Sequence, residues 1–137
     1  KPGVRAESVG SPQGMDEFVH ADILHHAPPA WASTVRLLAS GLRVLSAGTP
    51  VSAAGPQGST VPQAACAYVN KPVAGVEDLE VGRPQALTFL RGEVLRAEAP
   101  NGEYRRITHQ GFGLGFVRGA GNRWNNLLPT EWRIRMR

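Results

Sequence analysis

Glu131-Trp132-Arg133-Ile134-Arg135-Met136-Arg137 closes the chain in strict alternation. In an extended backbone Trp132, Ile134 and Met136 point to one side, and Glu131, Arg133, Arg135 and Arg137 to the other. Period two predicts a half-buried closing strand, with Trp132 in the core. The opposite side carries three guanidinium groups, which need open water or an anionic partner.

Working back from that strand, further extended segments are expected. Phe112 to Val117 and Tyr104 to Thr108 are two. Pro100-Asn101-Gly102 before them is a hairpin signal, because Asn-Gly tolerates the positive φ of a tight turn. Glu93 to Ala97 and Leu87 to Leu90 read as strand, with Gly92 as a bulge. Ala67-Tyr68-Val69 is a short candidate. Upstream the pattern becomes helical. Asp16 to His26 suits a short helix ended by Pro28-Pro29. Trp31, Val35, Leu38, Leu42 and Leu45 recur at steps of four and three, the stripe of a second helix with Trp31 in the core. Gly48 is its expected stop.

The expected fold class is α+β: N-terminal helices followed by a small antiparallel, barrel-like sheet of about five strands. Four segments are expected. Residues 1–14 form an extended arm and 15–47 a helical segment. Residues 48–63, rich in Pro, Gly and Ser, form a loop or linker, and 64–137 the β domain. A chain of 137 residues with 42% hydrophobic content suffices for one core. No uninterrupted apolar run reaches the roughly 18 residues a membrane span needs.

Charge is uneven. Residues 1–90 hold six Lys/Arg and seven Asp/Glu, while 91–137 hold nine Arg and four Glu. The basic excess therefore sits in the last third, as for a docking face. Thirteen of the fifteen basic residues are Arg, whose rigid fork bonds phosphate or carboxylate bidentately and stacks on flat rings. A GC-rich gene would produce the same bias without function.

Several residue groups invite chemical readings. Gly111-Phe112-Gly113-Leu114-Gly115 resembles a phosphate loop, but neither a helix start nor a Walker lysine follows. A glycine-rich strand edge, or a bend where another backbone comes close, fits better. Cys66 is the single cysteine, so no internal disulfide is expected. His20, His25, His26 and His109 lack metal-ligand spacing, so no metal or cofactor is expected. Arg118, Arg123, Trp124, Asn125 and Asn126 form a basic, aromatic, amide-rich stretch. Trp124 either stacks on a base or plugs the sheet. A small toxin-type ribonuclease would use His109 as acid or base, Glu103 as its partner and Arg105, Arg106 and Arg133 on the phosphorane.

From Phe89 onward the sequence resembles the bacterial-type large-subunit ribosomal protein nineteen family, organellar versions included. The resembling residues are Phe89-Leu90-Arg91-Gly92-Glu93-Val94-Leu95, Asn101-Gly102, Tyr104-Arg105-Arg106-Ile107-Thr108, Gly111-Phe112-Gly113-Leu114, Pro129 and Trp132-Arg133-Ile134. The resemblance implies a small barrel that binds ribosomal RNA inside a ribosome.

These readings together lead to a non-enzymatic, RNA-contacting structural component of a large ribonucleoprotein assembly, with a mitochondrial ribosome in the organellar matrix as the best-fitting setting. Arg105, Arg106, Arg118, Arg123, Trp124, Arg133 and Arg135 are the expected RNA-binding residues. The arm and residues 48–63 would lie on neighbouring subunits. The alternative is a protein-only accessory subunit of a respiratory complex or virion, with the Arg face on acidic side chains or lipid headgroups. The ribonuclease stands third.

Overall fold

The computed structural model describes residues 14–68 and 75–135. Most of the expected arm, Val69, Met136 and Arg137 lie outside the described residues. The chain is α+β, built on two four-stranded sheets that do not close into a barrel.

The first sheet runs in the order β1 (Asp16–His20), β2 (Ile23–Ala27), β3 (Thr49–Ala54), β4 (Thr60–Pro62), all antiparallel. The helix expected over 16–26 is instead the β1–β2 hairpin. Its two-residue turn is Ala21-Asp22, with φ of 50° and 61°. Both residues are left-handed, as a type I′ turn demands, yet neither is Gly or Asn. That chemistry hid the turn. The segment 48–63 is likewise no loop, because it holds β3 and β4. Pro50 sits where the β2–β3 register shifts, a bulge that tolerates its missing N–H.

Between β2 and β3 lies α1 (Pro29–Ala39). Pro28-Pro29 opens this helix rather than closing the one expected before it; a proline in the first turn loses no bond there. Ala32 is buried and Val35 packs beside it against Phe18 and Ala27. The rest of the stripe does not reach a core: Leu42 and Leu45 lie beyond the end of the helix at Ala39, and Trp31 and Leu38 are exposed within it, Trp31 by 66%. Leu42 and Leu45 are exposed as well. A single-sided layer needs only the small Ala32 face, so the large side chains stay outside.

The second sheet runs β5 (Glu77–Glu80), β6 (Tyr104–His109), β7 (Phe112–Gly119), β8 (Trp124–Asn126). β5 is parallel to β6, and the other pairs are antiparallel. Glu77 sits opposite Arg105, Asp78 opposite Arg106 and Glu80 opposite Thr108. Charge and hydrogen-bond complementarity thus support the register of a strand too polar to read as one.

The crossover from β5 to β6 contains α2 (Arg83–Leu90), where the sequence predicts the first half, Leu87–Leu90, of a strand bulged at Gly92. Gly82 N–H donates to Gln85 Oε1 at 3.1 Å, and Pro84 sits in the first turn. Gly92, with φ of 84°, ends the helix. Glu93 N–H donates to the Thr88 carbonyl at 3.2 Å, the six-to-one bond of a Schellman cap. Gly92 is therefore a helix terminator, not a strand bulge. Of the strand expected over 93–97, only a bridge from Leu95 to Trp124 forms.

One face of the second sheet packs Ile107 and Val117 on Phe89 of α2, together with Leu95, Trp124 and Leu128. Phe89, Ile107 and Val117 are fully buried; each such side chain contributes roughly 1.5–3 kcal/mol. The other face packs Phe116 on Cys66 and Ala67 of the 3-10 helix Ala64–Tyr68. Two glycines of the Gly-rich strand serve these contacts. A Cβ on Gly113 would lie 1.8 Å from the Ala67 carbonyl oxygen, and one on Gly115 would lie 2.7 Å from the Phe89 ring. Burial pushes the Cys66 thiol up to about 11, which keeps it protonated at neutral pH.

The closing strand does not form. Thr130–Trp132 is a 3-10 turn after Pro129, and Trp132 is 42% exposed, its ring 5.6 Å from that of Tyr68. Ile134 N–H donates to the Leu90 carbonyl at 2.8 Å, so the segment straps the end of α2 instead of pairing with the sheet. Among the described residues no helix is long and apolar enough to cross a membrane.

Candidate nucleic-acid interface

Tyr104 lies directly opposite Arg118, and Arg118 directly opposite Asn125. Residues paired across antiparallel strands share a face. Phenol, guanidinium and amide therefore stand in one row across β6, β7 and β8. The Arg118 guanidinium lies 5.7 Å from the Tyr104 ring centroid, a cation–π distance. Arg118 is exposed and, among the described residues, joins no ion pair. The ring orients the cation without neutralising it.

The row opens onto a groove of about 550 Å³ lined by Pro56, Gly58, Ser59, Gly102, Tyr104 and Arg118. Pro56 to Ser59 belong to the β3–β4 connection, so both sheets contribute walls. Gly102, with φ of 80°, lets the Pro100–Glu103 turn pass beside Arg118. The Asn-Gly signal was therefore a real turn. It leads into β6, whereas Gln110-Gly111, with φ of 51° and 79°, joins β6 to β7.

The seven expected RNA-binding residues separate into three groups. Arg118, Arg123 and Arg135 are exposed cations. Arg123 stands one residue before the Trp124–Asn126 strand, on the same sheet edge as Asn125.

Arg105, Arg106 and Arg133 are committed within the fold. Arg106 is 4% exposed, with Nε donating to Asp78 Oδ1 at 2.7 Å and Nη2 to Oδ2 at 2.6 Å. Arg105 bridges Glu77 and Glu103. Arg133 lies over Gly92 and donates from Nε and Nη2 to the Leu128 carbonyl, both at 3.2 Å. The expectation that Arg105 and Arg106 face a polyanion is corrected by their own carboxylates.

Trp124 forms the third group. It is 5% exposed in the helix-side core, so it plugs the sheet rather than stacking on a base. Asn126 is also structural: its amide donates to the Phe89 carbonyl at 2.7 Å and the Glu93 carbonyl at 2.9 Å. Tyr104 and Ser59, which line the groove, are not singled out by the sequence. Only the pairing of Tyr104 with Arg118 gives the tyrosine its place, and no local signal carries that pairing.

The nuclease arrangement does not assemble. His109 and Glu103 flank opposite ends of β6, on the order of 20 Å apart at ~3.3 Å per residue, and Glu103 is paired with Arg105. His25 stacks on Phe18, its Nδ1–H donating to the Ile23 carbonyl, and His26 bonds Glu17 at 3.0 Å. Among the described residues no three metal-ligating side chains gather.

Glu80 accepts from the Thr108 hydroxyl at 2.7 Å and from Gln110 N–H at 2.6 Å. These bonds hold its carboxyl below the usual range, the Thr108 bond contributing most.

Residues 76–134 match the family model described as the methyltransferase RsmF PUA domain. The matched span runs from just before β5 through the 3-10 turn at Thr130–Trp132, taking in α2 and the whole second sheet. It covers fewer than half of the 137 residues. This match, to a PUA-like RNA-binding type of domain, replaces the resemblance to ribosomal protein nineteen. No curated protein matches the chain.

Proposed function

We propose that this chain binds RNA through the Tyr104–Arg118–Asn125 row, and that it serves as the RNA-contacting domain of an RNA-modifying methyltransferase. The observation that carries the reading is the PUA match over residues 76–134. The row supports it independently. A phosphate sits on Arg118, the Tyr104 ring offers a stacking face, and Asn125 offers donor and acceptor to a base edge. Arg123 extends the positive edge.

The methyltransferase setting rests on the printed description of the matched model. A domain of this kind would hold the RNA while the methyl-transfer chemistry occurs elsewhere. The ribosomal-component setting depended on the replaced resemblance and is not proposed.

The test is single-stranded RNA binding by the full chain over a range of salt. Each phosphate contact adds about 0.7 to the slope of log K against log salt. Arg118→Ala should therefore lower that slope by about 0.7 and weaken binding several-fold, as should Arg123→Ala. An affinity insensitive to salt and to both substitutions would overturn the reading.

A further inference from the structure

A second groove, of about 400 Å³, opens between α2 and the β6–β7 hairpin, away from the Tyr104–Arg118–Asn125 row. Ala86, Leu87, Leu90 and Leu114 give it an apolar floor. Arg83, His109 and Gln110 form its polar rim. An apolar slot with a few convergent polar groups is the usual form of a small-ligand site, and its volume lies within the usual range of roughly 300–1,000 Å³.

The rim is held in place. His109 Nδ1–H donates to the Val81 carbonyl at 2.8 Å, which leaves the lone pair of the neutral ring on Nε2. The hairpin turn is tied down by Glu80, which accepts the Gln110 N–H. The Gln110 side chain offers both a donor and an acceptor. Arg83 is exposed in the first turn of α2 and, among the described residues, joins no ion pair. An apolar floor, hydrogen-bonding groups and one cation outside any ion pair match a heteroaromatic ring carrying a phosphate.

We infer that this groove is the seat of a single unstacked nucleobase of the bound RNA, with its ring on Leu87 and Leu90, its edge on His109 and Gln110, and its phosphate on Arg83. The inference rests on the RNA-binding reading above and adds to it. The row takes a phosphate and the neighbouring base, and this slot takes a further base out of the stack. A base inside a duplex cannot enter, so the site selects unpaired RNA.

The experiment is NMR titration of the full chain with adenosine 5′-monophosphate, cytidine 5′-monophosphate, inorganic phosphate, single-stranded RNA and duplex RNA. Either mononucleotide and the single strand should move the Leu87, His109 and Gln110 resonances. Phosphate alone should move only Arg83, and duplex should leave Leu87 and Leu90 in place. Arg83→Ala and Gln110→Ala, both at exposed positions, should each weaken mononucleotide binding on the order of ten-fold.

If single-stranded RNA binds but neither it nor a mononucleotide reaches these resonances, the slot is overturned while the RNA reading stands. If duplex moves them as strongly as single strand, selection of an unpaired base is overturned. If no RNA binds, the RNA reading falls and this inference with it.

Discussion

Arg106 and Asp78 form a bidentate pair across the parallel β5–β6 ladder, at 2.7 and 2.6 Å, on a guanidinium that is 4% exposed. The pair fixes a strand that hydrophobicity does not specify. It also removes from the surface one of the arginines expected to bind RNA. Cutting one partner of such a pair takes two charge-assisted hydrogen bonds from the other. Asp78→Ala should cost about 3 kcal/mol, the low end for such pairs because Asp78 is partly exposed. Urea unfolding of the two proteins measures it, and an unchanged midpoint would show that the pair does not stabilise the sheet.

Gly113 of β7 and Gly111 of the turn before it differ in what they hold. Gly113 has no room for a Cβ against the Ala67 carbonyl, whereas Gly111 has open space at a φ of 79°. Gly113→Ala should therefore destabilise by roughly 3 kcal/mol through backbone displacement. Gly111→Ala should cost only about 1–2 kcal/mol, from the left-handed backbone alone. Equal losses in thermal melts would refute the close approach between β7 and the Ala64–Tyr68 turn.

The β1–β2 turn stores strain at Ala21, whose φ is 50°. Ala21→Asn should stabilise the chain by roughly 0.5–1 kcal/mol, because asparagine tolerates that conformation. A lower midpoint in chemical denaturation would argue that the turn is not type I′.

Glu80 links stability to acid. Its folded pKa lies below its ordinary value of 4.5, so its contribution is present above that value and fades as pH falls through the folded pKa. Below about pH 4.5 the native protein should lose stability more steeply than Glu80→Gln, which has no carboxylate to protonate. Denaturation midpoints between pH 6 and pH 3 give the comparison. Parallel slopes would mean that the Thr108 and Gln110 bonds do not favour the ionised form.

What was legible in the sequence was local. β6 and β7 are legible through Tyr104–Thr108 and Phe112–Val117, which carry β-branched and aromatic residues between turn signals. Close approach of another backbone is found at Gly113 and Gly119, which face the Ala67 and Pro100 carbonyls, but β7 is an interior strand rather than an edge and Gly115 meets the Phe89 ring. Elements whose identity depends on a distant partner were not legible. Glu77–Glu80 is a strand because Arg105 and Arg106 stand opposite. Leu87–Leu90 carries strand-like residues, yet Gly82, Pro84 and Gln85 start a helix ahead of it. The chain end alternates perfectly, but Pro129 and the bond to Leu90 turn it into a strap. Arginine count likewise could not separate the exposed Arg118 and Arg123 from the paired Arg105 and Arg106; only strand register does that.

The proposed RNA path runs over the Tyr104–Arg118–Asn125 row. Ultraviolet cross-linking of single-stranded RNA to the full chain, followed by peptide mass spectrometry, tests it most directly. The predicted result is a cross-link at Tyr104 or a neighbouring residue of β6 to β8, lost when Arg118 is changed to Ala. Cross-links confined to α1 and the first sheet, unaffected by that change, would contradict it.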